Sequence, residues 1–239
     1  MSLQNQRVVI LGGTSGIGLA TAQLAAAQGA TVIVASSNPE SVKRALESLP
    51  DSASGEAVDL TDSAAVTEFF AGLDPFDHLV YTAGESLALL EVVSMDLARA
   101  RKAFELRYFG ALGAVSAAAS KIRPGGSVVL TTGAAGDRPG PGWSVAASIC
   151  GAVDSLVRAL AVELAPLRVN AVKPGVVRSP LWSNMSVEDQ QTLYDETSRL
   201  IPVGRVGEVT DIASAYVYLM NQGYATGSIV SVDGGHVLV

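Results

Sequence analysis

Seven residues near the N-terminus, Gly12-Gly13-Thr14-Ser15-Gly16-Ile17-Gly18, constrain this chain more than any other stretch. They follow a short apolar run, Val8–Leu11, and open an alanine- and leucine-rich stretch from Gly16 to Gln28. Glycine reaches positive φ at no steric cost and lets backbone come close to a ligand. A helix that starts there offers unpaired N–H groups to phosphate oxygens, and Thr14 and Ser15 add hydroxyls. A strand, a glycine turn and a helix in that order predict a dinucleotide site with the pyrophosphate on Gly12–Gly18. The alternative is a tight turn with no ligand, and the strand–helix context argues against it.

The same alternation continues to the C-terminus. Apolar runs predict strands at Val8–Leu11, Thr31–Ala35, Glu56–Asp59, His78–Thr82, Ser127–Thr132, Val169–Lys173 and Ile229–Val232. Between them, helices are expected over Gly16–Gln28, Pro39–Leu49, Ser63–Ala71, Leu97–Lys121, Ala146–Ala165 and Thr210–Met220. Apolar runs bounded by turn signals suit buried parallel strands. Strict alternation argues an α/β fold, a single Rossmann-type doubly wound parallel sheet flanked by helices, with residues 1–239 as one domain. Asn38-Pro39-Glu40 reads as an N-cap, a first-turn proline and a first-turn acid. Thr61 and Asp62 can cap the following helix, and Pro124-Gly125-Gly126 reads as the end of the long helix. Residues 179–207 break the rhythm and are expected to form a lid over a substrate.

Composition narrows the class. Half the residues are apolar (49%), 16% are charged and the net charge is −7. That mixture can bury a large core, which excludes disorder. An acidic chain argues against a nucleic-acid partner and gains nothing from an anionic membrane surface. No stretch approaches the apolar length of a membrane span, and the N-terminal run is too short for a signal-peptide core. The single cysteine, Cys150, forbids an internal disulfide and fits a cytoplasmic setting. It reads as a small buried residue before it reads as a nucleophile. His78 and His236 lack partners at ligand spacing, so no metal site is expected.

The glycine spacing, G-x-x-x-G-x-G, resembles that of the short-chain dehydrogenase/reductase family, with Leu11 where the family has threonine. Further matches run in family order along nearly the whole chain. Asp59 resembles an adenine-contacting aspartate, with Leu60 beside it. Thr82-Ala83-Gly84 resembles the end of N-N-A-G, with Tyr81 and Thr82 replacing both asparagines. Arg168-Val169-Asn170-Ala171-Val172-Lys173-Pro174-Gly175 is similar to R-V-N-x-x-x-P-G. Pro174-Gly175-Val176-Val177-Arg178-Ser179 resembles the segment that holds the nicotinamide carboxamide, with Ser179 replacing threonine. Pro202-Val203-Gly204-Arg205 and Val232-Asp233-Gly234-Gly235 match C-terminal signatures. The resemblance also implies that the long helices pair in a homodimer or homotetramer.

In such folds an acid about 20 residues past the glycines binds the ribose 2′-hydroxyl of NAD. Here that place reads Ala35-Ser36-Ser37-Asn38. No acid repels a 2′-phosphate, Ser36, Ser37 and Asn38 are small donors, and Lys43 or Arg44 can lie near. NADP is therefore favoured over NAD, although family members that bind NADP often carry arginine where Ser37 stands.

The catalytic part of the resemblance departs from the pattern. Family reductases use a tyrosine as general acid, a lysine four positions beyond it, a serine and an asparagine. Anchored on Ala152-Val153-Asp154-Ser155-Leu156, the tyrosine slot holds Ala146 and the lysine slot Cys150. Arg107 stands at the asparagine, and Thr132 takes the serine's place. Alanine has no proton to give, and a thiol is normally neutral near pH 7. Arg107 could polarise a carbonyl, Thr132 could donate a hydrogen bond, and Lys173, Tyr81 and Tyr108 are further candidates. Each has a structural alternative: Arg107 as an ion-pair partner, Lys173 as a capping cation, the tyrosines as packing. Trp182, Met185, Leu193 and Tyr194 are candidates for an apolar substrate wall. Two functions are expected. One is an NADP-dependent oxidoreductase acting on a carbonyl, alcohol or imine of a small molecule by an atypical mechanism. The other is an NADP-binding sensor or partner subunit without turnover.

Overall fold

The computed structural model describes residues 2–87 and 89–239. In chain order its main elements are β1 (Arg7–Leu11), α1 (Gly16–Ala27), β2 (Thr31–Ser36), α2 (Pro39–Leu46), β3 (Ser54–Ala57), α3 (Ser63–Gly72) and β4 (Phe76–Tyr81). Then come α4 (Leu97–Phe104), α5 (Ala111–Ala118), β5 (Ile122–Thr131), α6 (Ser144–Glu163) and β6 (Arg168–Pro174). The chain ends with β7 (Val177–Arg178), α7 (Val187–Leu200), β8 (Gly207–Glu208), α8 (Val209–Asn221) and β9 (Ile229–Val232). Seven strands form one parallel sheet in the order β3-β2-β1-β4-β5-β6-β9, and β7 pairs with β8 beside it.

Side chains alternate across each strand, so one strand feeds two layers. Val9 and Leu11 of β1 pack with Val66, Phe69 and Phe70 of α3 and with α5 and α6. Val8 and Ile10 pack on the other face with Ala22 and Ala25 of α1 and with Ile212, Tyr216 and Leu219 of α8. Helices thus cover both faces, as the alternating sequence predicts. The strand order reverses between β1 and β4, and there the loops after Leu11 and Tyr81 diverge. Open sheets of this kind bind ligands at the carboxyl end of that crevice.

Several boundaries differ from expectation. Strand β3 lies two residues earlier than predicted, so Asp59 sits in the turn beyond it, where it accepts from the Thr61 N–H (2.9 Å) and hydroxyl (2.7 Å). Thr61 is therefore Asp59's partner, and Asp62 alone caps α3 through the Ala64 and Ala65 N–H groups. Pro124-Gly125-Gly126 belongs to β5 and does not end a helix; the register shifts opposite Phe76/His78, and Arg123 pairs with Asp77 at 3.0 Å. Residues 179–207 contain a 14-residue helix, α7, capped by Ser186, with Glu188 and Asp189 in its first turn and Arg199 in its last. These are ordinary start and stop signals, masked by a weakly apolar face. Helix α6 is long and apolar enough to cross a membrane by length and composition, but here Ile149, Val153, Val157 and Leu160 seat it on the sheet.

The expected single helix 97–121 is broken. Between α4 and α5 the chain makes a π-helical turn, Glu105–Gly110. The buried Tyr81 hydroxyl donates to the Leu106 carbonyl at 2.5 Å. Gly110 leaves the room, since a Cβ there would lie 2.6 Å from that hydroxyl oxygen. A side chain bonded to a helical carbonyl widens the helix by one residue, a device often found at functional sites.

Candidate functional site

A cavity of about 1210 Å³ opens at the carboxyl end of the sheet, at the β1/β4 divergence. Its first wall is the glycine turn: Gly12, Thr14, Ser15, Gly16, Ile17 and Gly18 all line it. Gly12 has φ +82° and Gly16 φ +50°, which L side chains rarely adopt. A Cβ at Gly12 would also lie 2.5 Å from the Ala83 nitrogen, so the turn can pass β4 only as glycine. Ser15, the N-cap of α1, makes no side-chain capping bond, and no acid stands in the first turn. The first N–H groups of α1 therefore face the cavity without a side-chain partner, as phosphate binding requires.

The other cofactor candidates converge on the same space. Ser36, Ser37, Asp59, Leu60, Ala83, Gly84, Pro174, Gly175, Val177 and Ser179 line it. Asn38 does not: its side chain is committed to capping α2, accepting from the Glu40 and Ser41 N–H groups. Lys43 and Arg44 are also off the cavity, with Arg44 bonded to Ser41 at 2.9 Å. The one residue read as both cap and ligand is thus a cap.

Arg107 and Thr132 both reach the cavity. The π turn carries Arg107 over Gly84, where its guanidinium donates to the Glu85 carbonyl and lies 3.7 Å from the Glu85 carboxylate. Glu85 Oε2 is buried and lacks a hydrogen-bond partner, so its charge rests on this guanidinium. Gly84 makes the placement possible, because a Cβ there would lie 2.7 Å from the Arg107 Nη1. The ion-pair role and the cavity role of Arg107 coexist. Thr132 donates to the Cys150 carbonyl at 3.1 Å, long for a hydroxyl donor.

Ala146 and Cys150, which the resemblance sets at the tyrosine and lysine slots, offer no usable acid. Ala146 and Cys150 line the cavity. Gly133 and Gly136 pack closely against Cys150, and burial pushes the Cys150 thiol up, so it stays protonated. Burial likewise pushes the Tyr81 phenol up, and its proton is held by Leu106. Tyr108 stacks edge-on between Phe104 and Phe109 and does not line the cavity.

Lys173 does not reach the cavity. It is buried, and its Nζ lies 2.5 Å from Asp137 and 2.8 Å from Asp154, away from the cavity. Burial alone would lower its pKa, but hydrogen bonds and charge from the two aspartates outweigh that and hold it above the usual lysine range. Its role is to tie β6 to α6 one helical turn beyond Cys150.

Sequence reasoning missed Glu85, Arg99, Lys102, Arg138, Trp143 and His236, all of which line the cavity. Arg99, Lys102, Arg107 and Arg138 face two carboxylates, Asp59 and Glu85, so the cavity is cationic in an acidic chain. That balance suits an anionic ligand. Trp182, Leu193 and Trp143 line the cavity and cluster with Leu87 and Leu181; of the four residues expected in an apolar wall, Trp182 and Leu193 reach the cavity, while Met185 and Tyr194 pack in the cluster without lining it.

The family model described as enoyl-(acyl carrier protein) reductase matches residues 12–236. The chain is 30% identical to the short-chain dehydrogenase/reductase malC of Malbranchea aurantiaca, over 99% of this chain and 96% of that protein. It is 33% identical to a 3alpha-hydroxysteroid dehydrogenase of Mediterraneibacter gnavus, over 98% of each. Among solved structures, a small-chain dehydrogenase in complex with NADPH matches with a TM-score of 0.88 and 33% identity, covering 99% of this chain and 100% of that one. The MalC reductase/Diels-Alderase of Malbranchea aurantiaca matches with a TM-score of 0.92 and 30% identity, covering 99% and 98%. The chain belongs to the short-chain dehydrogenase/reductase family of NAD(P)-using oxidoreductases.

Proposed function

We propose that this protein is an NADP-dependent reductase of a small-molecule carbonyl or imine, in which Arg107 polarises the reacting bond in place of a tyrosine acid. The observation that carries this reading is the Arg107 guanidinium, aimed into the cavity over Gly84 and anchored by Glu85.

The residues present fit a dinucleotide. The uncapped start of α1 and the glycine turn take the pyrophosphate, and Asp59 with Leu60 borders the adenine. Ala83, Gly84, Pro174, Gly175, Val177 and Ser179 border the nicotinamide. Ser36 and Ser37 offer hydroxyls and no acid at the ribose 2′ position, which favours a 2′-phosphate. The NADPH-bound relative supports the same choice. Bound there, the cofactor supplies a hydride to the substrate. Negative charge then develops on the substrate heteroatom, and a fixed cation in a partly dry site stabilises it. Thr132 can trade its long bond to Cys150 for one to that atom. The proton comes from solvent through the open cavity, since Ala146 has none and Tyr81 keeps its own. Residues 179–207, with α7, form the cover over the substrate end. Exposed Leu97, Phe109 and Val162 on the α4–α6 side offer apolar surface to a second copy.

The test is cofactor oxidation against a broad panel of carbonyls and imines, with NADPH and NADH compared. Turnover with NADPH preferred is expected. Tight NADPH binding with no turnover across the panel overturns the reading and leaves a sensor or partner subunit.

A further inference from the structure

Two groups on the cavity wall have no role in the reading above. Arg138 comes from the loop after β5, and His236 opens a short 3₁₀ turn, His236–Leu238, at the end of the chain. Among the described residues, the Arg138 guanidinium makes no ion pair. The His236 Nδ1 is buried and has no hydrogen-bond partner. Both line the same cavity; burial and then the charge of Arg138 push the imidazole's pKa down, with Asp233 opposing. Both carboxylates of the cavity are engaged elsewhere, Asp59 with Thr61 and Glu85 with Arg107. A buried polar atom without a partner calls for an explanation, and a guanidinium is the usual recognition group for a carboxylate.

Two tryptophans also line the cavity. Trp143 and Trp182 meet edge-on, with ring centres 6.4 Å apart and planes at 63°. Trp182 is fixed by its Nε1–H, which donates to the Val177 carbonyl at 2.9 Å. Leu87, Leu181 and Leu193 complete the wall. Aromatic side chains take a further ring edge-on or offset-stacked.

We infer that Arg138 and His236 bind a carboxylate of the substrate, so that the cavity takes an aromatic carbonyl acid with its ring against Trp143 and Trp182. The placement of the carbonyl near Arg107 rests on the reductase reading; the carboxylate site does not.

The test can be read without turnover, because Trp143 and Trp182 are the chain's two tryptophans and both line the cavity. Tryptophan fluorescence of the NADP⁺-saturated protein is titrated with 4-acetylbenzoate and with its methyl ester. The acid is expected to bind about 10- to 100-fold more tightly, the usual range for a hydrogen bond to a charged group. Arg138→Gln should abolish that preference and leave NADP⁺ affinity unchanged, and His236→Asn should reduce it. Arg138 is exposed, so its loss leaves the fold intact. Equal binding of acid and ester by the unchanged protein overturns the inference. So does an Arg138→Gln variant that loses NADP⁺ affinity, which would give Arg138 to the cofactor. An acid preference without NADPH oxidation keeps this inference and removes the reductase reading. Equal oxidation of NADPH with acid and ester does the reverse.

Discussion

Gly84 and Arg107 act as one unit. A methyl group at Gly84 would meet the far end of the Arg107 side chain, which can swing away, and not the backbone. Gly84→Ala should therefore fold normally, yet lose rate as though Arg107 had been removed. Steady-state NADPH oxidation beside a melting curve checks this; full activity in the variant would show that Arg107's position does not matter. At this scale the sequence was readable wherever the reason for a residue is local. The glycines of the turn and the cap Asn38-Pro39 follow from neighbours in the chain. Glu85 was not readable, because its partner lies 22 positions away and only the fold brings them together. Its one signal is its place directly after Thr82-Ala83-Gly84. Arg138 and His236 reach the same cavity from positions almost a hundred residues apart and gave no signal.

The elements are held by polar ties that the apolar pattern does not show. His78 lies buried in β4, with Nδ1 at 2.9 Å from Ser127 Oγ and Nε2 at 2.8 Å from Gln6 Oε1. Burial, then the charge of Arg168, pushes its pKa down to about 4, with Asp77 opposing. The folded state thus favours the neutral ring. Its contribution is complete above the unfolded value near 6.5 and is lost as pH falls from there toward about 4, amounting to about 3 kcal/mol. Urea midpoints at pH 7.5 and pH 5 should show the loss, and His78→Asn should flatten it; equal midpoints in the unchanged protein would refute it. Lys173 is the second tie. Lys173→Met leaves Asp154 buried without its cation and should destabilise the fold by about 3–5 kcal/mol, with Lys173→Met/Asp154→Leu recovering much of that. Denaturant titration decides, and a single variant as stable as the double would contradict the tie. Element order and sheet were legible because parallel buried strands read as apolar runs. The break at Glu105–Gly110 was not, because its cause is a tyrosine on another strand. Helix α7 was missed because its polar face hides the period.

Over the whole molecule, cofactor binding and chemistry come from different parts. The glycine turn and the ends of β1, β2 and β6 line one part of the cavity, and on the proposed reading they hold the dinucleotide; their place beside the strand ends was legible in the sequence. The reactive half is assembled from the loop after β4, the π turn, the loop after β5 and the residues 179–207, whose contacts are all long-range. The chain is acidic, yet its cavity is lined by Arg99, Lys102, Arg107 and Arg138 against two carboxylates, Asp59 and Glu85. If Arg107 supplies the electrostatic stabilisation, the two halves can be separated by one substitution. The most direct measurement is the rate of NADPH oxidation by Arg107→Gln at saturating cofactor, set against the NADPH dissociation constant of the same variant. A fall of about 10²–10³ with an unchanged constant is predicted, the usual effect of removing one charge-stabilising donor. A rate equal to that of the unchanged protein would contradict the account.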